Sequence, residues 1–348
     1  MPARRNRQPE TIDDADFIKS SKDSKLRLGE DLAKAAREIT AGQARYLVDA
    51  YYQVQQFRIE ATGQKKAATD AGEPVKLLDW LRSIMVRLEG TIREQLDEYT
   101  DQQAVSRWAK SLRGIGPVIT AGLSAHIDIT KAATAGAIWR FAGLDPTTKW
   151  LGKDGAKEVV SAHWDRTRSA EENAIAIATI LGRKTEGILR DATTDAQGAA
   201  RAASRDTVTK AFAKRPWNAS LKTLCWKIGE SFVKVQRFDD DVYGKVYAER
   251  KVLEVARNER GDNAATAARI LTEKNFGDDT LAKGKLLLGR LPDAQIHERA
   301  KRYAVKLFLA HYHHVAYESH FHRLPPKPYI IEHGGHTHFI APPNWPMA

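Results

Sequence analysis

The residues best suited to chemistry are Gly114-Ile115-Gly116-Pro117, set within residues 111–123. Two glycines let a backbone turn sharply and present bare amides. Proline suits the first position of a helix, where a missing N–H costs nothing. The run therefore reads as a helix, a tight hairpin and a second helix opening at Pro117. Amides at a helix N-terminus attract anions, so phosphate is the expected ligand. Lys110 and Arg113 stand just before the turn and tilt the reading toward sequence-independent phosphate contact. The expected site is Lys110, Arg113, Gly114, Ile115, Gly116 and Val118. The alternative is a helical corner that only packs.

Lys222, Lys227, Lys234 and Arg237 lie among Trp217 and Trp226. Bases interleaved with rings suit nucleic-acid backbones and stacking, and Lys222 and Lys227 join the expected contacts. The same residues read equally well as a solvated lysine face over a tryptophan core. Histidines gather toward the C-terminus: His311, His313, His314, His320, His322, His333, His336 and His338. Such a set can bind a transition metal, either on the face His333, His336 and His338 or through His311, His314 and Glu318. No thiolate or carboxylate triad accompanies them, so the favoured reading is core, solvated or hydrogen-bonded histidine, with no metal and no cofactor. Asp239-Asp240-Asp241 reads as an acidic partner for a helix start. Ser220 and Ser231 have no evident base, and the chain holds no P-loop or dinucleotide fingerprint. No catalytic residue is assigned.

The chain has 348 residues and a formal net charge of +11. That balance favours an acidic partner, DNA before RNA. Cys225 is the only cysteine, which excludes an intrachain disulfide and a thiolate zinc cluster and fits a reducing cytoplasm. The basic start, Met1-Pro2-Ala3-Arg4-Arg5-Asn6-Arg7, is followed by no apolar run, so no secretory signal is expected. No stretch reaches membrane-spanning length, so no membrane partner is expected. Self-association stays open.

The elements that must position these residues read as an all-α chain. Residues 1–25 are expected as a disordered tail, and 26–100 as a long helical hairpin whose linker by composition is 63–74. Residues 101–150 form the helix-hairpin-helix module and 151–214 a helical insertion. Within this stretch 147–165 reads as loop, 169–190 as helix, Gly turn and helix, and 191–210 as flexible. Residues 215–320 form a C-terminal helical bundle, with 277–290 loop-rich. Residues 321–348 make a Pro/His-rich tail ending in a small β-hairpin at 329–340, turning at Gly334-Gly335.

Residues 108–146 resemble the helix-hairpin-helix region of insertion-sequence transposases of the bridge-RNA-guided, DEDD-plus-serine class. The resemblance is carried by Gly114-Ile115-Gly116-Pro117, Ala121, Leu123, Ile127-Asp128 and Phe141-Ala142-Gly143-Leu144-Asp145-Pro146. Residues 218–224 are similar to that family's Asn-x-x-Leu-Lys/Arg helix. The family's RuvC-like α/β domain supplies acidic metal ligands, whereas residues 1–100 here read as helices. Where the family places its nucleophilic serine, this chain has Thr147-Thr148-Lys149-Trp150-Leu151-Gly152. The resemblance thus implies nucleic-acid binding and not strand cleavage. An active transposase or recombinase with unidentified catalytic residues stays open. So does a structural or interaction protein of a phage or plasmid.

Overall fold

The computed structural model describes residues 30–326 and 339–347. The expected tail 1–25 lies outside them, as do residues 327–338, on which most of the expected β-hairpin and His333, His336 and His338 fall. The described secondary structure is helical, with fifteen α-helices and one short 3-10 turn. No strand occurs among the described residues; Thr194 and Ala200 form an isolated antiparallel bridge.

The N-terminal helices are α1 (Glu30–Arg37), α2 (Ala41–Asp70) and α3 (Lys76–Asp101). Thr40 opens α2 with a capping box: its hydroxyl accepts from the Gln43 amide, and the Gln43 side chain accepts from the Thr40 amide, so two helix-end donors are satisfied. Helices α2 and α3 pair through a turn in which Gly72 takes φ +73°. Residues 63–70, expected as linker, instead continue α2. Gly63 costs a helix only about 1 kcal/mol relative to alanine, and the Gln, Lys and Ala that follow are good helix formers. The break waits for Gly72 and Pro74. A buried ion pair, Arg58 Nε to Glu89 Oε2 at 2.6 Å, ties the two helices.

Next come α4 (Ala104–Lys110), α5 (Pro117–His126) and α6 (Ala135–Phe141). Val118, Ala121 and Ala125 of α5 are buried with Ala44, Val48, Ile92 and Leu96 of the long hairpin. Helices α7 (Gly152–His163), α8 (Ala170–Ile180), α9 (Thr185–Thr193) and α10 (Arg205–Ala213) follow. Helix α7 lies inside the segment expected as loop, with Ala156 and Val160 buried in a core of α8, α9 and α10. The segment expected to be flexible folds at Asp195, whose side chain accepts from the Gln197 and Ala199 amides. Arg201 bonds the Asp191 and Ala192 carbonyls.

The C-terminal helices are α11 (Ala219–Val235), α12 (Tyr243–Glu259), α13 (Ala264–Glu273), α14 (Leu281–Leu287) and α15 (Asp293–Phe321). Helix α14 lies in the stretch expected as loop-rich and is capped by Thr280. Trp108, Phe232, Tyr243, Phe308 and Tyr312 build an aromatic core. The chain divides into two units, residues 136–225 and the remainder.

Candidate nucleic-acid interface

The hairpin between α4 and α5 is built as a rigid corner. Leu112 donates to Ala109, and Ile115 donates back to Leu112 at 3.1 Å. Gly114 takes φ +87°, the left-handed region that favours glycine. A Cβ there would also stand 2.9 Å from Ser231 Oγ and 3.2 Å from a Val235 methyl. The Ser231 hydroxyl donates to the Gly114 carbonyl at 2.6 Å. Ile115 is buried and pins the turn to the core.

Gly116 differs from Gly114. It is exposed and extended (φ −98°, ψ 179°), and a Cβ on it would meet nothing within 4 Å. Its carbonyl accepts from both the Thr120 amide and the Thr120 hydroxyl, at 3.0 Å each. Pro117 is the first residue of α5. The amides of Gly116, Val118 and Ile119 take no acceptor among the described residues. The side chain of Val118 is buried, so only its backbone faces this opening.

The two cations before the turn are both partnered. Lys110 bonds Asp97 Oδ1 at 2.5 Å and also Asp101. Burial lowers its pKa, but the bonds to Asp101 and Asp97 more than offset this and hold it above the ordinary lysine value. Arg113 forks onto Asp240, with Nε 3.0 Å from both carboxylate oxygens and Nη2 2.6 Å from Oδ2. This bond raises the Arg113 pKa and lowers that of Asp240. The Arg113 guanidinium lies 4.8 Å from the Phe238 ring centre, and that of Arg237 lies 5.4 Å from it.

Lys222 and Lys227 both lie on α11 but on opposite sides of the division between the units. Lys222 sits 4.0 Å from the centre of the Trp217 ring. Lys227 sits 3.6 Å from that of Tyr52, a cation–π arrangement. Burial, with help from Lys234, lowers the Lys227 pKa. No local pattern marks Tyr52, Ser231, Phe238 or Asp240 as partners, because each reaches the hairpin or its lysine from a distant element.

The other chemically able groups serve the fold. Asp241 is buried and accepts from the Gly244 and Lys245 amides at the start of α12, at 3.2 and 3.0 Å. His311 is buried between Tyr243 and the Ile340 carbonyl, and His313 bonds the Ala132 carbonyl at 2.8 Å. His314 meets Glu318 at 3.4 Å. Glu230, His297 and Glu298 come close enough to share a cation, but the Lys301 ammonium bonds both glutamates and fills that role. Among the described residues, no helix is long and apolar enough to cross a membrane. No family model, curated protein or solved structure matches this chain.

Proposed function

We propose that this chain binds nucleic acid, DNA before RNA, by gripping the phosphate backbone at the α4–α5 turn, and that its hairpin module is related to that of mobile-element transposases. The observation that carries the reading is the open backbone at Gly116, where amides without internal acceptors head a ten-residue helix in a chain of net charge +11. Phosphate at such a terminus meets both hydrogen-bond donors and the favourable end of the helix dipole. Arg113, Lys227, Lys234 and Arg237 supply surrounding positive charge. Lys110, held by two carboxylates, fixes the α3–α4 corner and adds little to the phosphate grip.

The test is Gly116→Val, read by fluorescence anisotropy on a labelled duplex. Valine suits the extended backbone before a proline and fills space that is otherwise empty, so circular dichroism should not change. Affinity should fall roughly tenfold, the worth of a hydrogen bond to a charged group. Wild-type affinity should fall linearly in log–log form with salt as counterions are released. Unchanged affinity in Gly116→Val would sink the role of the turn.

A second reading is favoured by the Ser231 bond to Gly114 and by Asn344, whose side-chain amide donates to Ser111 Oγ at 3.1 Å. On it, the turn is a packing corner of a structural protein, and duplex binding is absent or indifferent to Gly116. Cleavage or joining of a supercoiled duplex with a divalent metal would instead mark an active recombinase.

A further inference from the structure

We propose that Asp240 is a built-in stand-in for nucleic-acid phosphate at Arg113, displaced when the backbone of the ligand arrives. This rests on the reading of the hairpin as a phosphate site. The carboxylate takes the guanidinium fork through Nε and Nη2, the geometry with which arginine also holds a phosphate. Both partners are open to solvent, with side-chain exposures of 43% for Arg113 and 61% for Asp240. Exposed pairs contribute little to stability, so exchange of one oxyanion for another is cheap.

The surroundings keep the guanidinium in place when the carboxylate leaves. Arg113 rests on Phe238, and Arg237 lies against the same ring. Arg113 is the chain neighbour of Gly114, whose carbonyl is fixed by Ser231. Asp240, by contrast, makes no side-chain hydrogen bond among the described residues except to Arg113, with the Lys245 charge as a lesser influence. The cap of α12 belongs to its neighbour Asp241, and the Lys245 ammonium is taken by the Asp239 carbonyl at 2.6 Å. Residues 236–240 are exposed throughout. The free protein thus neutralises its own arginine beside the phosphate site, and binding of a backbone releases the carboxylate.

The experiment compares duplex affinity across a salt series for wild type, Asp240→Asn, Asp239→Asn, Arg113→Gln and the double variant Arg113→Gln/Asp240→Asn. Asp240→Asn should bind about three- to fivefold tighter, the worth of the exposed pair it removes. Its log–log salt slope should steepen by up to about one phosphate contact. Asp239→Asn, which removes the same charge one residue away, should gain less than half as much. The Asp240→Asn gain should vanish in the Arg113→Gln background, and Asp240→Glu should return affinity toward wild type. Melting temperatures of all variants should stay close together. Equal gains from Asp239→Asn and Asp240→Asn, or a gain that survives loss of Arg113, would reduce the effect to overall charge and overturn the proposal. Wild-type binding that depends on Gly116 but ignores Asp240 overturns this inference alone. Absence of binding in every variant overturns it together with the proposed function.

Discussion

At the scale of single residues, the structure separates charge that is available from charge that is consumed. The sequence puts Lys110 and Arg113 before the turn, and that spacing is legible. Their carboxylate partners are not, because Asp97 and Asp101 belong to another helix and Asp240 is far along the chain. The histidines teach the same lesson. His311 has the Tyr243 hydroxyl on Nδ1 at 2.7 Å and the Ile340 carbonyl on Nε2 at 2.9 Å. A carbonyl only accepts, so Nε2 carries the proton and Nδ1 accepts from tyrosine, a tautomer assigned from the network. Burial pushes the His311 pKa down from 6.5 to about 4, partly opposed by the Ile340 bond. The folded value lies below the unfolded one, so the contribution to stability is complete above pH 6.5 and is lost as the pH falls through about 4. The shift corresponds to about 3 kcal/mol in full. Urea midpoints should therefore decline between neutral pH and about pH 4.5, and His311→Gln should decline less steeply. Parallel curves for the two proteins would contradict the assignment. His126, His297, His313 and His314 are also lowered, chiefly by burial, so part of the acid sensitivity should survive in the variant.

At the scale of elements, the apolar stripes of α2, α3 and α15 are legible because each runs for many turns at helical spacing. Glycine is where sequence reading falters, since one letter covers opposite circumstances. Gly63 is exposed in the middle of α2, and a Cβ there would touch nothing. The composition of 63–74 reads as a linker, but a single glycine is a small cost in a long helix whose other residues favour it. Gly244 stands at the start of α12, where a Cβ would come 2.6 Å from the Phe232 carbonyl oxygen and 2.7 Å from Gln236 Cα. Both neighbours are α11 backbone or its continuation, which cannot swing aside as a flexible side chain can. The same substitution should therefore carry opposite signs. Gly63→Ala should stabilise by about 0.5–1 kcal/mol, and Gly244→Ala should destabilise by about 3 kcal/mol through overpacking. Denaturant unfolding of the two variants decides the matter. A loss in Gly63→Ala would mean that the helix is strained there, and a neutral Gly244→Ala would mean that α11 and α12 have room to part.

At the scale of the whole molecule, the sequence conveys helical class and basic charge, while the extent of each unit depends on contacts it does not display. Residues 136–225 form one unit, wider than 151–214 on both sides. The closure at its edges is made by residues distant in sequence: the Asn218 amide donates to the Phe141 carbonyl at 2.9 Å, and a Cβ on Gly143 would lie 2.7 Å from the Trp217 ring. The two units have different interiors. In 136–225 the buried cluster of Val160, Ile177, Ile188, Val208, Phe212 and their neighbours is half alanine. The other unit buries stacked rings, Trp108 on Phe308 and Phe232 on Tyr243. Large rings bury far more apolar surface than alanine methyls do. Residues 136–225 should therefore melt first, and scanning calorimetry should resolve two transitions. Ile177, fully buried in the alanine-rich cluster, offers the means to assign them. Ile177→Ala should cost about 2–4 kcal/mol, lowering the first transition and leaving the second in place. One transition in the wild type, or a shift of both in the variant, would show that the two interiors unfold as a single cooperative block.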